Sequence, residues 1–160
     1  MKKIFFLLII TLCFTCCKEE IEEEQINNEN NKIFTIWNGN SLIFEKIDGS
    51  DPLNESNQDR ITDNVWITRD NNGGQIYNIA KENSADKSKS PIGTEWAIGN
   101  LDQTGTIEFK SFRLAVGKPQ DVVGKDLVIH LLDDDVYLSI KFKSWSQGQK
   151  GGFSYERSTK

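Results

Sequence analysis

From residue 32 onward, apolar and polar positions alternate with a period of two rather than 3.6. The clearest stretch is 136–143. Val136, Leu138, Ile140 and Phe142 fall on one side, and Tyr137, Ser139, Lys141 and Lys143 on the other. Successive side chains of a strand point to opposite faces, so this segment predicts a half-buried strand. A short apolar run, 127–132, precedes it, and Asp133-Asp134-Asp135 connects the two. The pair predicts a β-hairpin, without the Asn-Gly turn of the tightest kind. Residues 106–112 alternate in the same way, with Ile107 and Phe109 opposite Glu108 and Lys110. Further strands are predicted at 32–37, 41–47, 64–69, 75–80, 94–98 and 152–156. Asn38-Gly39, Asp48-Gly49, Asn72-Gly73-Gly74, Gly99-Asn100 and Gly148 punctuate them as turns. The Ser-, Lys- and Asn-rich stretch 81–91 reads as a surface loop. No segment of this body carries an amphipathic helical pattern. Roughly eight or nine short strands at this spacing predict an all-β fold, a two-sheet β-sandwich or jelly roll, with an open barrel as the alternative.

The first seventeen residues follow a different rule. Lys2 and Lys3 precede an unbroken apolar run, 4–10, which extends through Leu12 and Phe14 to Cys16-Cys17. A positive start followed by a short apolar stretch is the physical form of a secretory signal. The run is shorter than the roughly 18–20 residues a membrane span needs. Phe14-Thr15-Cys16-Cys17 resembles a bacterial lipobox, with Phe14 where Leu is usual. That resemblance implies diacylation of Cys17. The frame ending at Cys16 is the alternative, but it places bulky Phe14 at a small-residue position. Acyl chains would hold the chain on a membrane, each buried CH₂ contributing about 0.8 kcal/mol. Lys18-Glu19-Glu20, extended by Glu22, Glu23 and Glu24, resembles the surface-export signal of lipoproteins in the Bacteroidetes group. This implies an outer-membrane anchor with the domain facing the cell exterior. The expected organisation is a signal peptide at 1–16, a lipidated Cys and acidic linker at 17–31, and one domain at 32–160.

Charge divides along the same boundaries. Without Lys2 and Lys3 the chain has 17 basic and 24 acidic residues, a net of −7. Residues 18–30 contribute one Lys and six Glu, or −5, so 31–160 is nearly balanced at −2. The acidity belongs to the tether, which is too polar to bury a core and reads as a disordered spacer. No basic patch of the kind nucleic acid requires is legible. All three cysteines, Cys13, Cys16 and Cys17, lie in the export segment. The domain therefore has no disulfide, no thiol nucleophile and no Cys ligand for zinc. Its core alone must stabilise it.

Candidate chemistry in the body is sparse. His130 is the single histidine, and no Gly-x-Ser-x-Gly elbow accompanies it. It reads as a structural strand residue. Carboxylates and amides gather in three stretches: Asp48, Asp51, Asn54 and Glu55; Asn57, Asp59, Asp63 and Asn64; and Asp133 to Asp135. Calcium takes about six to eight oxygen ligands, and Asp59 and Asp63 are the candidates for a structural Ca²⁺. Otherwise no cofactor is expected. Glu45, Glu95, Glu108 and Glu156 lie in or beside strands, and a glycosidase would need two of them about 5–9.5 Å apart. Trp37, Trp66, Trp96 and Trp145, with Tyr77, Tyr137 and Tyr155, are many aromatics for a domain this size. They supply core area, but Trp145 shares the alternation of Tyr137 and Lys141. Trp145 and Tyr137 are thus the candidate exposed platform for a sugar ring.

Two blocks carry a further likeness. One is Asn57-Gln58-Asp59-Arg60-Ile61-Thr62-Asp63-Asn64-Val65-Trp66-Ile67-Thr68-Arg69, continuing to Thr94-Glu95-Trp96-Ala97. The other runs from Asp134-Asp135-Val136-Tyr137-Leu138 through Ser144-Trp145-Ser146-Gln147 to Gly151-Gly152-Phe153-Ser154-Tyr155-Glu156-Arg157-Ser158-Thr159. They resemble a secreted bacterial module, of no assigned activity, that occurs beside cell-surface sorting signals. The resemblance implies an extracellular setting and a lipid anchor in place of a C-terminal sorting signal; it transfers no catalytic residue. The expected function is a membrane-anchored, noncatalytic module that binds a glycan or another extracellular partner. The alternatives are a glycoside hydrolase with paired carboxylates, and a structural envelope lipoprotein without a small ligand.

Overall fold

The structure, a computed structural model, describes residues 34–160. The export segment, Cys16, Cys17 and the acidic linker lie outside the described residues. Nine strands are present: β1 (Thr35–Trp37), β2 (Ser41–Lys46), β3 (Asp59–Thr62), β4 (Val65–Arg69), β5 (Ile76–Asn78), β6 (Thr94–Ile98), β7 (Asp126–Leu131), β8 (Val136–Trp145) and β9 (Phe153–Ser158). One short helix, α1 (Phe112–Val116), and three single turns of 3₁₀ helix join them. The strands form two sheets. The large one runs β2-β9-β8-β7-β6, antiparallel throughout, with β1 added parallel to β8. The small one runs β3-β4-β5. The all-β, two-sheet architecture expected from the alternation is therefore present.

Alternation decides what the core contains. The inward positions of β8 are Val136, Leu138, Ile140 and Phe142, all buried. Cross-strand register sets Leu131, Ile129 and Leu127 of β7 beside the first three, and Tyr155 of β9 beside Phe142. Ile61, Val65, Ile67 and Ile76 of the small sheet, with Phe112 and Val116 of α1, belong to the same core cluster. Each such side chain contributes roughly 1.5–3 kcal/mol when fully buried. Aromatic contacts tie the layers together. The Trp96 ring lies 5.0 Å from Phe112 and 6.4 Å from Phe142, and Phe142 lies 5.2 Å from Tyr155. A domain without disulfides concentrates its large apolar side chains in this way.

Three expectations are corrected. Segment 106–112 is not a strand. Lys110 makes a single bridge to Trp96, and at Ser111 the chain enters α1, so no ladder can propagate. Phe109 instead packs over the outer face of the large sheet, 5.9 Å from His130 and 5.5 Å from Tyr137. Conversely, β3 carries no apolar alternation because one of its inward residues is Asp59, 5 % exposed. A buried carboxylate hides a strand from a hydrophobicity pattern. The third correction is α1: five residues are too few to show a helical period.

Candidate functional site

The expected Trp145–Tyr137 platform does not exist as a shared exposed face. Between β8 and β9, Phe142 pairs with Tyr155 and Ser144 with Ser154, so Lys143 and Ser144 stand opposite one residue. A bulge of this kind resets the alternation. Trp145 therefore turns to the inner side, 5.8 Å from Phe142 and 6.1 Å from Phe153, and stacks 6.3 Å from Phe112. Tyr137 stays on the outer side but is 3 % exposed. His130 stacks flat on it at 4.0 Å, and Phe34 and Phe109 meet it edge-on. Trp96 is buried, and Trp37, Trp66 and Trp145 are half-buried. Among the described residues no aromatic side chain is fully exposed, so the expected open platform of two rings is missing.

The carboxylates are engaged elsewhere. Asp59 accepts from Arg157 Nε at 2.7 Å and Nη2 at 2.9 Å, and from the Tyr155 hydroxyl at 2.6 Å. Asp63 is exposed in the turn between β3 and β4. The two are not joined in an oxygen cage, and the described residues hold no group of three or more His, Cys, Asp or Glu placed to bind a metal ion. The Asp133 to Asp135 run spreads to three partners. Asp133 pairs with Lys81. Asp134 accepts from the Thr62 hydroxyl at 2.7 Å and Asn64 Nδ2 at 3.0 Å, fastening one hairpin turn to another. Asp135, at φ 47°, lies 3.1 Å from His130 Nε2. Short polar residues tolerate that left-handed conformation better than most. Glu95 lies 4.0 Å from His130 Nδ1, and Glu108 pairs with Lys110. Glu45 and Glu156 are diagonal neighbours across β2 and β9. However, hydrogen bonds from Lys143 and Ser41 hold the Glu156 carboxyl below its ordinary range. A general acid needs the opposite shift.

The feature that pattern reading missed is a cleft of about 320 Å³ beside Trp145. Arg69, Lys87, Arg113, Lys118 and Gln147 line it with Trp145, and no Asp or Glu does. Arg69 ends β4 and is 2 % exposed. Its Nε donates to the Gly74 carbonyl at 3.2 Å, and its Nη1 to Ser146 and Gly152 carbonyls at 2.8 and 3.0 Å. The guanidinium carbon sits 4.2 Å over the Trp145 ring. Burial pulls this guanidinium down to about 10, against the opposing charge of Asp48. Nearby Lys46, 1 % exposed, donates to Asn71 Oδ1 at 3.0 Å. Burial and then Arg69 hold its amino group below the ordinary value, with Asp70, Asp48 and Asp51 opposing. Arg113 Nε donates to Gln75 Oε1 at 2.7 Å, and Gln75 is itself fixed by the Asp86 and Lys89 carbonyls. Lys87 and Lys118 are exposed. None of the four cations forms an ion pair among the described residues.

A second cavity, of about 360 Å³, is larger but different in kind. Asp126, Lys141 and Glu156 line it. Lys141 pairs with Asp126 at 2.9 Å, and Glu156 with Lys143 at 2.7 Å, so its charges are matched. Of these two, the first cleft is the one that collects unmatched charge. No local sequence signal foretells it, because its cations come from β4, a loop, α1 and the turn after α1.

The chain matches no family model, no curated protein and no solved structure.

Proposed function

We propose that this chain is a lipoprotein of the outer membrane, acylated at Cys17 or, in the alternative frame, at Cys16. The domain faces the cell exterior and works as a noncatalytic binding module for a glycan or another extracellular partner. The Lys2-Lys3 start, the apolar run and the Cys16-Cys17 boundary support the anchor. The cleft beside Trp145 is the observation that carries binding. At about 320 Å³ it lies near the lower end of small-ligand sites, which span about 300–1,000 Å³. Its polar and charged side chains converge without a nucleophile, an acid–base pair or a cage for a metal. Glu45 and Glu156, diagonal neighbours across β2 and β9, do not line this cleft.

Metabolic labelling with a fatty-acid analogue tests the anchor. Cys17→Ser should abolish labelling, and full labelling of both the Cys17→Ser and Cys16→Ser variants would refute it. A glycan array probed with the full chain in non-ionic detergent tests binding. Signal on no glycan, together with no capture by whole envelope fractions, would remove the binding reading and leave the structural envelope lipoprotein.

A further inference from the structure

Four cations lining one cleft are unusual in a domain whose total charge is close to zero. Two observations make this more than a run of surface lysines. First, Arg69 is almost fully buried yet has no carboxylate partner. Its Nε and Nη1 donate to backbone carbonyls, while Nη2 has no acceptor among the described residues. Burying an ionised group is costly unless an opposite charge and full hydrogen bonding compensate it. Arg157, in the same domain, has both. Second, the cleft cations are held in place. Arg69 is locked against Trp145 and three carbonyls, and Arg113 is aimed by Gln75. A planar guanidinium with free N–H groups matches the geometry of an oxyanion.

We propose that this cleft takes the oxyanion of an acidic saccharide, a carboxylate or sulfate carried on a sugar ring. The group seats against Arg69 and Arg113, and Lys118 and Lys87 attract it from the rim. This rests on the reading of the domain as a binding module. It replaces ring stacking on a Trp145–Tyr137 platform, which the buried Tyr137 cannot form, with charge recognition. The volume admits one such residue rather than a long chain. Gln120 and Gln147 at the cleft supply groups for sugar hydroxyls. An acidic peptide, which clustered arginines also recognise, is the competing occupant, and polyglutamate represents it in the test.

The test is calorimetric titration of the full chain in non-ionic detergent. The probes are trigalacturonate, a chondroitin sulfate tetrasaccharide, neutral maltotriose, polyglutamate and inorganic sulfate. One acidic saccharide should bind, and maltotriose should not. Arg113→Gln and Lys118→Gln should each weaken that binding by about tenfold, the scale of a lost charge-assisted hydrogen bond. Lys143→Gln, on the opposite sheet face, should leave it unchanged, and thermal melts confirm that all three variants fold. Raising the salt concentration should weaken binding further, because the rim charges are exposed to screening. Maltotriose binding that ignores the Arg113 and Lys118 substitutions would overturn the inference while leaving the binding module intact. Stronger binding of polyglutamate, or equal binding of inorganic sulfate, would overturn the saccharide as ligand. No binding of any probe overturns the inference, and the glycan array then decides the module itself.

Discussion

Arg157 and Arg69 occupy equivalent mechanical positions and opposite electrostatic ones. Each spans the two sheets and each is nearly inaccessible, at 6 % and 2 % exposure. Arg157 projects from β9 to Asp59 on β3 in a two-bond ion pair, with the Tyr155 hydroxyl on the same carboxylate. Arg69 projects from β4 toward the end of β8 and meets only carbonyls and an indole ring. Burial acts on both guanidiniums in the same direction. At Arg157 the hydrogen bonds and charge of Asp59 outweigh it, and the group is held above its ordinary value. At Arg69 nothing comparable intervenes, and burial prevails. A matched buried charge is a clamp. An unmatched one at the wall of a cleft is a place where an anion is stabilising.

Removing the clamp's carboxylate should have the largest effect. Asp59→Ala leaves Arg157 buried and uncompensated, which should cost about 3–5 kcal/mol. Urea denaturation reads this directly. The double variant Asp59→Leu/Arg157→Met should regain much of the loss, since apolar replacements of a buried pair are often neutral. If Asp59→Ala lowers stability by under about 1 kcal/mol, the pair is no better than a surface bridge and the contrast with Arg69 disappears.

Arg69→Met should cost less, about 1–2 kcal/mol. The variant loses hydrogen bonds to Gly74 and Ser146 and the contact with Trp145. Gly152 keeps its acceptor role through the Ser146 amide at 2.9 Å. The substitution also relieves the cost of an unpaired buried cation. A loss as large as that of Asp59→Ala would show that Arg69 is a clamp of the same kind.

Neither arginine was legible as a bridge between the sheets. The strands themselves were largely legible: eight of the nine predicted segments coincide with strands, and only 106–112 does not. β8 shows where such reading fails. A single extra residue at Lys143-Ser144 reverses the side on which Trp145 falls. No hydrophobicity pattern records a bulge in advance. β3 fails for the opposite reason: Asp59 is polar and buried, so pairing with a residue 98 positions away makes it an inward position. The candidate site is less legible still. Arg69, Lys87, Arg113 and Lys118 acquire meaning only through their convergence and through the acids that are not there.

Alkaline pH separates the two environments by a smaller margin. Burial, then the charges of Asp70 and Glu82, push the Tyr77 phenol up to about 12. Burial, then Asp59, hold Tyr155 well above its ordinary value. In the unfolded chain both ionise near 10. Above pH 10 the unfolded state therefore binds fewer protons than the folded one, and stability falls as pH rises. Arg69 acts the other way. Folded, it loses its proton near 10, whereas unfolded it keeps it, so its unfavourable burial is relieved over the same range. One pH unit past the folded value, this relief amounts to about 1.4 kcal/mol. A single tyrosine shifted like Tyr77 costs about the same by pH 11. In the wild-type chain the Arg69 relief partly cancels the loss from Tyr77 and Tyr155. In Arg69→Met the cancellation is gone, so stability should fall more steeply between pH 9.5 and pH 11, by about 1.4 kcal/mol. Urea midpoints across that range, with phenolate absorbance followed in parallel, check it. Parallel pH profiles for the two proteins would mean that Arg69 titrates like an exposed arginine and that its charge is already compensated.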